Sequence, residues 1–143
     1  MRKSLLKNCP PEWNVGVLTQ DDFYSHCDAG CIQLHEDVQI EQPGLYMIYD
    51  GRPHIFIDER LRGAERLFVQ FHELAHYWLH PSGIKFFLGW ERSIEQEANI
   101  IAACALIPRT VLEHYWPEEI VDLCGYSHKL IETRRAIFER WHV

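Results

Sequence analysis

The sequence has no long apolar run and no excess of positive charge, and both absences limit what the protein can do. None of its apolar stretches approaches the roughly 20 residues that span a bilayer. Its basic start, MRKSLLKNCPPEW, is not followed by the apolar segment of a signal peptide. Against 21 Asp and Glu there are 14 Lys and Arg, which gives a formal net charge of -7. We therefore expect a cytoplasmic protein with no membrane association, whose main partner is not a nucleic acid.

Internal repeats, low-complexity tracts and linkers are also absent. The chain has 143 residues, 47% of them hydrophobic, which is enough for one ordinary domain with a buried core. We therefore predict a single globular unit over residues 1–143.

The five cysteines are scattered, and their odd number favours reduced thiols over a disulfide framework. Four residues close together in the sequence, His26, Cys27, Cys31 and His35, have the side chains of a zinc knuckle. Their spacing matches none of the usual zinc-finger patterns. We therefore interpret them as buried thiols and surface histidines, with a zinc knuckle as the alternative.

The first half of the chain contains signals for a short helix and for strands. Thr19, followed by two acidic residues, is typical of a helix start, and we predict a helix that runs to about Cys27. Three short runs rich in Ile, Tyr, Phe and Leu come next, and the last two flank a turn-like segment. They predict a hairpin in a small antiparallel sheet. The runs are Cys31–Leu34, Leu45–Tyr49 and His54–Ile57.

The second half is predicted to be helical. From about Gly63 the apolar residues recur with the period of a helix, and His72 and His76 lie on the side opposite this apolar stripe. Further helices are indicated by apolar periodicity and by breaks at Pro108 and Gly125. They cover residues 93–106, 108–114, 117–124 and 127–141. Strands first and helices afterwards predict an α+β fold.

An HExxH motif lies within the first of these helices, at residues 72–76. Residues four apart project from the same side of a helix, so His72 and His76 can bind one metal ion while Glu73 stands beside them. In this pattern Glu73 activates a water molecule and is not a ligand. The alternative is a helix whose solvent face carries His and Glu by chance. The clean apolar stripe on the opposite side favours the metal site.

A third protein ligand is needed, because two histidines do not hold zinc well and a catalytic site leaves one position open for water. His80 is the nearest histidine in the sequence. It lies roughly 12 Å from His72 along a continuous helix that rises about 1.5 Å per residue, which is too far for both to reach one ion. We interpret His80 as a helix-end residue or as a group that lines the pocket.

Carboxylates suited to this role occur at the start of the next helix, in Glu95-Gln96-Glu97-Ala98-Asn99. In the glutamate-type zincins a Glu on a second helix completes the site, and a polar residue four positions later lies one turn away. Glu95 and Asn99 fit this arrangement, so we predict Glu95 as the third ligand and Asn99 as its supporting group. Glu97 is the alternative ligand, and otherwise a solvated acid in the first turn.

From Leu45 to the C-terminus the sequence resembles the ImmA/IrrE family of metallopeptidases. The resemblance is carried by LYMIYDGRPHIFIDERL, FHELAHYWLH and SIEQEANIIAACALIP. Family members commonly have Gly where this chain has Ala75. The resemblance implies an intracellular, zinc-dependent endopeptidase. Its implied partner is a helix-turn-helix transcriptional repressor, which it cleaves to derepress genes of a mobile element, a prophage or a stress response.

The expected mechanism assigns separate roles to the ligands and the base. His72, His76 and Glu95 hold zinc, while Glu73 takes a proton from the attacking water and passes it to the leaving amine. A further donor to the oxyanion is usual in such sites, and the sequence does not rank the candidates. These are Tyr77, His80, His114 and Tyr126.

The same family resemblance includes a helix-turn-helix-like segment at residues 118–135, with Gly125 at the turn. We therefore divide the predicted domain into a zincin-like core at 1–116 and helix-turn-helix-like C-terminal helices at 117–143. Three cations here, Lys129, Arg134 and Arg135, suit phosphates or an acidic partner. The net negative charge of the protein disfavours contact with phosphates. We therefore favour helices that pack on the core, with these cations exposed to solvent. The alternative function is a non-catalytic, zinc-containing regulator that binds a repressor or DNA through these helices.

Overall fold

The structure, a computed structural model, describes residues 18–83 and 91–143. Cys9 and the basic start of the sequence lie outside these residues. None of the described helices is long and apolar enough to cross a membrane. The fold is α+β, as predicted. In chain order its elements are α1 Gln20–Ala29, β1 Gln33–Val38, β2 Gly44–Tyr49, β3 Arg52–Asp58, α2 Gly63–Leu79, α3 Glu91–Leu106, α4 Arg109–His114, α5 Pro117–Cys124 and α6 His128–Trp141.

The strands form a mixed sheet in the order β1-β3-β2. Strands β2 and β3 are antiparallel and joined by a tight turn, in which Asp50 and Gly51 have positive φ values of 53° and 71°. This hairpin agrees with the prediction, whereas β1 pairs with β3 in parallel, so the sheet is not purely antiparallel. The reason is the strand order. Strand β3 reverses direction after β2 and inserts between β2 and β1, and it therefore runs the same way as β1.

Helix α2 packs against the sheet and against α3. From its predicted apolar stripe, Phe71, Leu74 and Ala75 are fully buried in the core cluster that also contains Ile55 and Ile57 of β3. Burial of a large apolar side chain contributes about 1.5–3 kcal/mol. The apolar face thus fixes the helix on the sheet and leaves the HExxH residues beside the edge strand β2.

Helix α3 begins two residues before its predicted start and ends at Leu106, as predicted. Its fully buried residues include four alanines, Ala98, Ala102, Ala103 and Ala105. Small side chains at a helix contact shorten the distance between the two axes. This packing brings the first turns of α3 beside the HExxH face of α2.

The C-terminal helices α5 and α6 are joined at Gly125, which has the left-handed conformation with φ 71°. The hydroxyl of Ser127 accepts a hydrogen bond from the Leu130 amide and caps α6. The side chain of Arg134 is 1% exposed, and its Nε donates to the Ile107 carbonyl over 2.6 Å, just beyond the end of α3. Arg134 is therefore neither solvated nor free to meet a phosphate, in contrast to the expectation, because it caps a helix end inside the core.

Candidate metal centre

Two histidines of α2 point the same way, as their spacing predicted. The helix continues without a break from Gly63 to Leu79, so His72 and His76 lie one turn apart on one face. Their Nε2 atoms are 3.1 Å apart. Two imidazole nitrogens at this separation can coordinate a single ion.

Glu95 of α3 completes the group. Its Oε2 lies 3.0 Å from Nε2 of His72, and its Oε1 lies 2.9 Å from Nε2 of His76. Donor atoms of the three residues all lie within 4.8 Å of one another, and no other such group of three occurs among the described residues. Two imidazoles and one carboxylate, with further positions open, are a donor set typical of a catalytic metal site.

Asn99 supports His72 from the next turn of α3. Its Oδ1 lies 2.8 Å from Nδ1 of His72. With the Nδ1 proton donated to this amide oxygen, the lone pair of His72 is on Nε2, the atom that faces the other donors. Glu95 and Asn99 thus lie one turn apart on α3 beside His72, while their roles as ligand and supporting group stay predictions.

His76 is held in its neutral form. The side chain is 2% exposed, and burial lowers its pKa to about 4, with the charge of His72 acting in the same direction. Neutral imidazole is the form that binds a metal ion. Its Nδ1 is buried without a hydrogen-bond partner in the described structure.

Glu73 lies beside the donor group and outside it. The side chain is 6% exposed and lines the cleft in front of the two histidines. Burial, together with the negative charge of Glu95 as the smaller cause, raises the pKa of Glu73 to about 8. A cation held by the three donors would favour the carboxylate form again. The position and basicity of Glu73 suit a group that accepts and returns a proton.

The site opens into a cleft of about 740 Å³ between α2 and strand β2. Consecutive residues of β2 line it, which means that the edge of the strand and not one of its faces borders the cleft. No local pattern in the sequence indicated this wall, because the proximity of β2 to α2 depends on strand order. The residues lining the cleft are Gln42, Pro43, Gly44, Leu45, Tyr46, Met47, Ile48, Phe68, Val69, His72, Glu73, His76, Ser82, Gly83, Glu95 and Asn99.

The other candidate residues on α2 and α3 do not line this cleft. The ring of Tyr77 packs against that of Tyr46, with centroids 6.1 Å apart, and its hydroxyl lies near Gly30. His80 caps the end of α2, and its carbonyl accepts a hydrogen bond of 2.7 Å from the hydroxyl of Tyr46. Glu97 is half-buried on α3 and takes no part in the donor group.

Two further oxyanion candidates lie elsewhere. His114 is exposed, and its Nδ1 is 2.7 Å from the Thr110 carbonyl. Tyr126 is buried beside Leu18 and Ile120 in a separate cavity. Of these supporting candidates, Asn99 is the one whose side chain is hydrogen-bonded to the side chain of a donor residue.

The four residues that suggested a zinc knuckle do not form a metal-binding group in the described structure. Cys27 is buried in the core, and burial raises the pKa of its thiol to about 12, which disfavours the thiolate. Cys31 is exposed. Nε2 of His35 instead pairs with Nδ1 of His54 across the sheet, at 2.9 Å.

Comparison with known proteins points to the same part of the chain. Residues 32–130 match the IrrE N-terminal-like domain family, Peptidase_M78. The chain is also similar to "Uncharacterized immunity region protein 2" of Bacillus phage phi105, at 35% identity over 88 residues. That match covers 57% of this chain and 52% of the phage protein, so the chain spans about half of the length of this relative.

Proposed function

We propose that this chain, which belongs to the Peptidase_M78 (IrrE N-terminal-like) family of metallopeptidases, is a zinc-dependent endopeptidase. The observation that carries the proposal is the convergence of His72, His76 and Glu95, with the buried carboxyl of Glu73 beside them. A metal site that served only structure would have no use for this carboxyl group, because it is not a ligand.

Zinc is the metal that this donor set suits best. Two imidazoles, one carboxylate and an open position are the usual surroundings of catalytic zinc. Bound there, zinc supplies Lewis acidity, which lowers the pKa of a water molecule and polarises a carbonyl group.

The residues around the metal site then have separate roles in peptide hydrolysis. Glu73 takes the proton of the attacking water and delivers it to the leaving amine. Asn99 holds the tautomer and orientation of His72 through the 2.8 Å contact at Nδ1. Burial of His76 and Glu73 keeps bulk water away from the inner end of the cleft, where electrostatic interactions are stronger.

Strand β2 suits the binding of an extended peptide. Strand β2 pairs only with β3 among the described strands, and its second edge borders the cleft. A substrate segment can add to such an edge through main-chain hydrogen bonds, while alternate side chains enter pockets. Leu45, Met47 and Phe68 make those pockets apolar.

The proposed substrate is a helix-turn-helix transcriptional repressor in the cytoplasm. The support is the resemblance to the ImmA/IrrE family and the similarity to a phage protein whose name refers to an immunity region. A small peptidase free in the cytoplasm must avoid general proteolysis, so we expect one selective cut. Cleavage would relieve repression of mobile-element, prophage or stress genes.

The competing function, a regulator that binds DNA or a repressor without turnover, is less well supported. Of the three cations considered for phosphate contacts, Arg134 is buried in the core. Lys129 and Arg135 remain exposed on α6, beside the exposed acid Glu132. The net charge of -7 also opposes binding to a phosphate backbone.

Co-expression with a repressor encoded beside the gene tests the proposal. The wild type should yield two discrete repressor fragments. The variant Glu73→Gln should yield none while keeping its zinc, because Glu73 transfers protons and is not a ligand. An intact repressor bound equally well by both proteins would favour the regulator, and unselective digestion of casein would contradict a dedicated substrate.

A further inference from the structure

Gly44, the first residue of β2, lies against the side chain of Glu73. A Cβ placed on Gly44 would be 2.8 Å from Cγ of Glu73 and 3.0 Å from its Oε1. It would also be 2.7 Å from Cγ1 of Val69, one turn earlier on α2. Carbon atoms in favourable contact are about 3.5–4.0 Å apart. No side chain fits at position 44 unless one of these groups moves.

The start of β2 is the part least able to move. Gly44 pairs with Ile57 in the sheet, and the Asp58 amide donates to the Pro43 carbonyl over 3.0 Å. The Asp58 carboxylate accepts a hydrogen bond from the Ile40 amide, and Arg60 binds both this carboxylate and the Ile40 carbonyl. These hydrogen bonds fix the segment from Ile40 to Pro43, which leads into β2, at both of its ends.

Glu73 is the part most able to move. Its backbone belongs to the buried face of α2, but its side chain has three rotatable bonds and ends in the open cleft. Rotation of the Glu73 side chain would therefore relieve its own two contacts with a methyl group at position 44, whereas the contact with Cγ1 of Val69 would need a separate shift. That rotation would carry the carboxyl away from the position that it holds against the start of β2.

We propose that Gly44 is a positioning residue for Glu73: with no Cβ at this position, β2 approaches α2 closely enough to hold the Glu73 side chain against the strand. The role rests on the proposed function, because it concerns the base of that reaction. A misplacement of about 1 Å at a reacting group can cost roughly 100-fold in rate.

Gly44→Ala tests the role, with Gly30→Ala as the matched control. A Cβ at Gly30 would also be crowded, at 3.1 Å, but by the hydroxyl of Tyr77 and away from the cleft. Both variants should fold and bind one zinc per chain. Gly44→Ala should lose about 100-fold in kcat with KM within about threefold of the wild type, whereas Gly30→Ala should keep its kcat within about threefold. An unchanged kcat in Gly44→Ala would overturn the proposal.

A second variant separates positioning from crowding of the fold. Gly44→Ala with Val69→Ala removes the contact at Val69 and leaves the contact at Glu73, so it also serves if the single variant does not fold. Compared with Val69→Ala alone, the double variant should still show the loss of kcat. Full recovery would assign the effect to packing against Val69 and overturn the role of Gly44.

A structural readout makes the test independent of activity. In crystals of the double variant and of Val69→Ala, the Glu73 carboxyl should lie in two different places while the backbone of β2 coincides. An unmoved Glu73 with a displaced strand would overturn the proposal. Absence of peptide cleavage by the wild type would instead contradict the proposed function. The two crystal structures would then still show whether Gly44 positions the Glu73 carboxyl.

Discussion

The two walls of the cleft differ in what they contribute. Helix α2, with the first turns of α3, provides the three donors of the candidate metal site and the buried carboxyl of Glu73 beside them. Strand β2 provides backbone and apolar side chains, and no titratable group of this strand except Tyr46 lines the cleft. In the proposed function the helix wall therefore sets the chemistry, and the strand wall sets where a peptide lies. Substitutions on the helix wall should therefore affect zinc binding, and substitutions on the strand wall should affect KM.

The largest effect is expected on the helix wall, from His76→Ala. This change removes one of three donors, so zinc should be lost from the purified protein. His114→Ala is the control, since His114 is exposed and remote from the cleft. Metal analysis with circular dichroism measures both content and folding. One zinc per chain in a folded His76→Ala variant would contradict the assignment of His76 as a metal ligand.

A smaller effect is expected from Asn99→Ala, which leaves all three donors in place. Loss of the oxygen that contacts Nδ1 of His72 should weaken zinc binding by about 10–100-fold, as for other residues that orient a ligand. Competition with a chelator gives the affinity. Asn99→Asp keeps an oxygen acceptor and should bind zinc more tightly than Asn99→Ala. Equal affinity in the wild type and Asn99→Ala would exclude this supporting role.

The smallest effect is expected on the strand wall. Leu45→Ala should keep its zinc and raise KM by about tenfold, which corresponds to about 1.4 kcal/mol of lost apolar contact with the substrate. Tyr49→Ala is the control, because Tyr49 is at the far end of β2, 66% exposed, and does not line the cleft. Cleavage kinetics on a peptide substrate measure the change. Loss of zinc from Leu45→Ala would contradict the claim that the strand wall affects substrate binding and not metal binding.

The same contrast explains what could be predicted from the sequence. His72 with His76, and Glu95 with Asn99, are each related by one helical turn, and such local spacings can be interpreted without knowing the fold. The closeness of Gly44 to Glu73 depends on the position of β2 at the sheet edge and has no local signal. Arg134 is a similar case, because its burial follows from a carbonyl acceptor at Ile107, on another part of the chain.

Anomalous diffraction at the zinc edge, from crystals of the zinc-loaded protein, would locate the metal and identify its ligands. We predict one peak between α2 and α3, about 2.0–2.2 Å from Nε2 of His72, Nε2 of His76 and a carboxylate oxygen of Glu95. Glu73 should lie beside the peak without coordinating it. A peak coordinated by Glu97 in place of Glu95, or no peak in this cleft, would contradict the account.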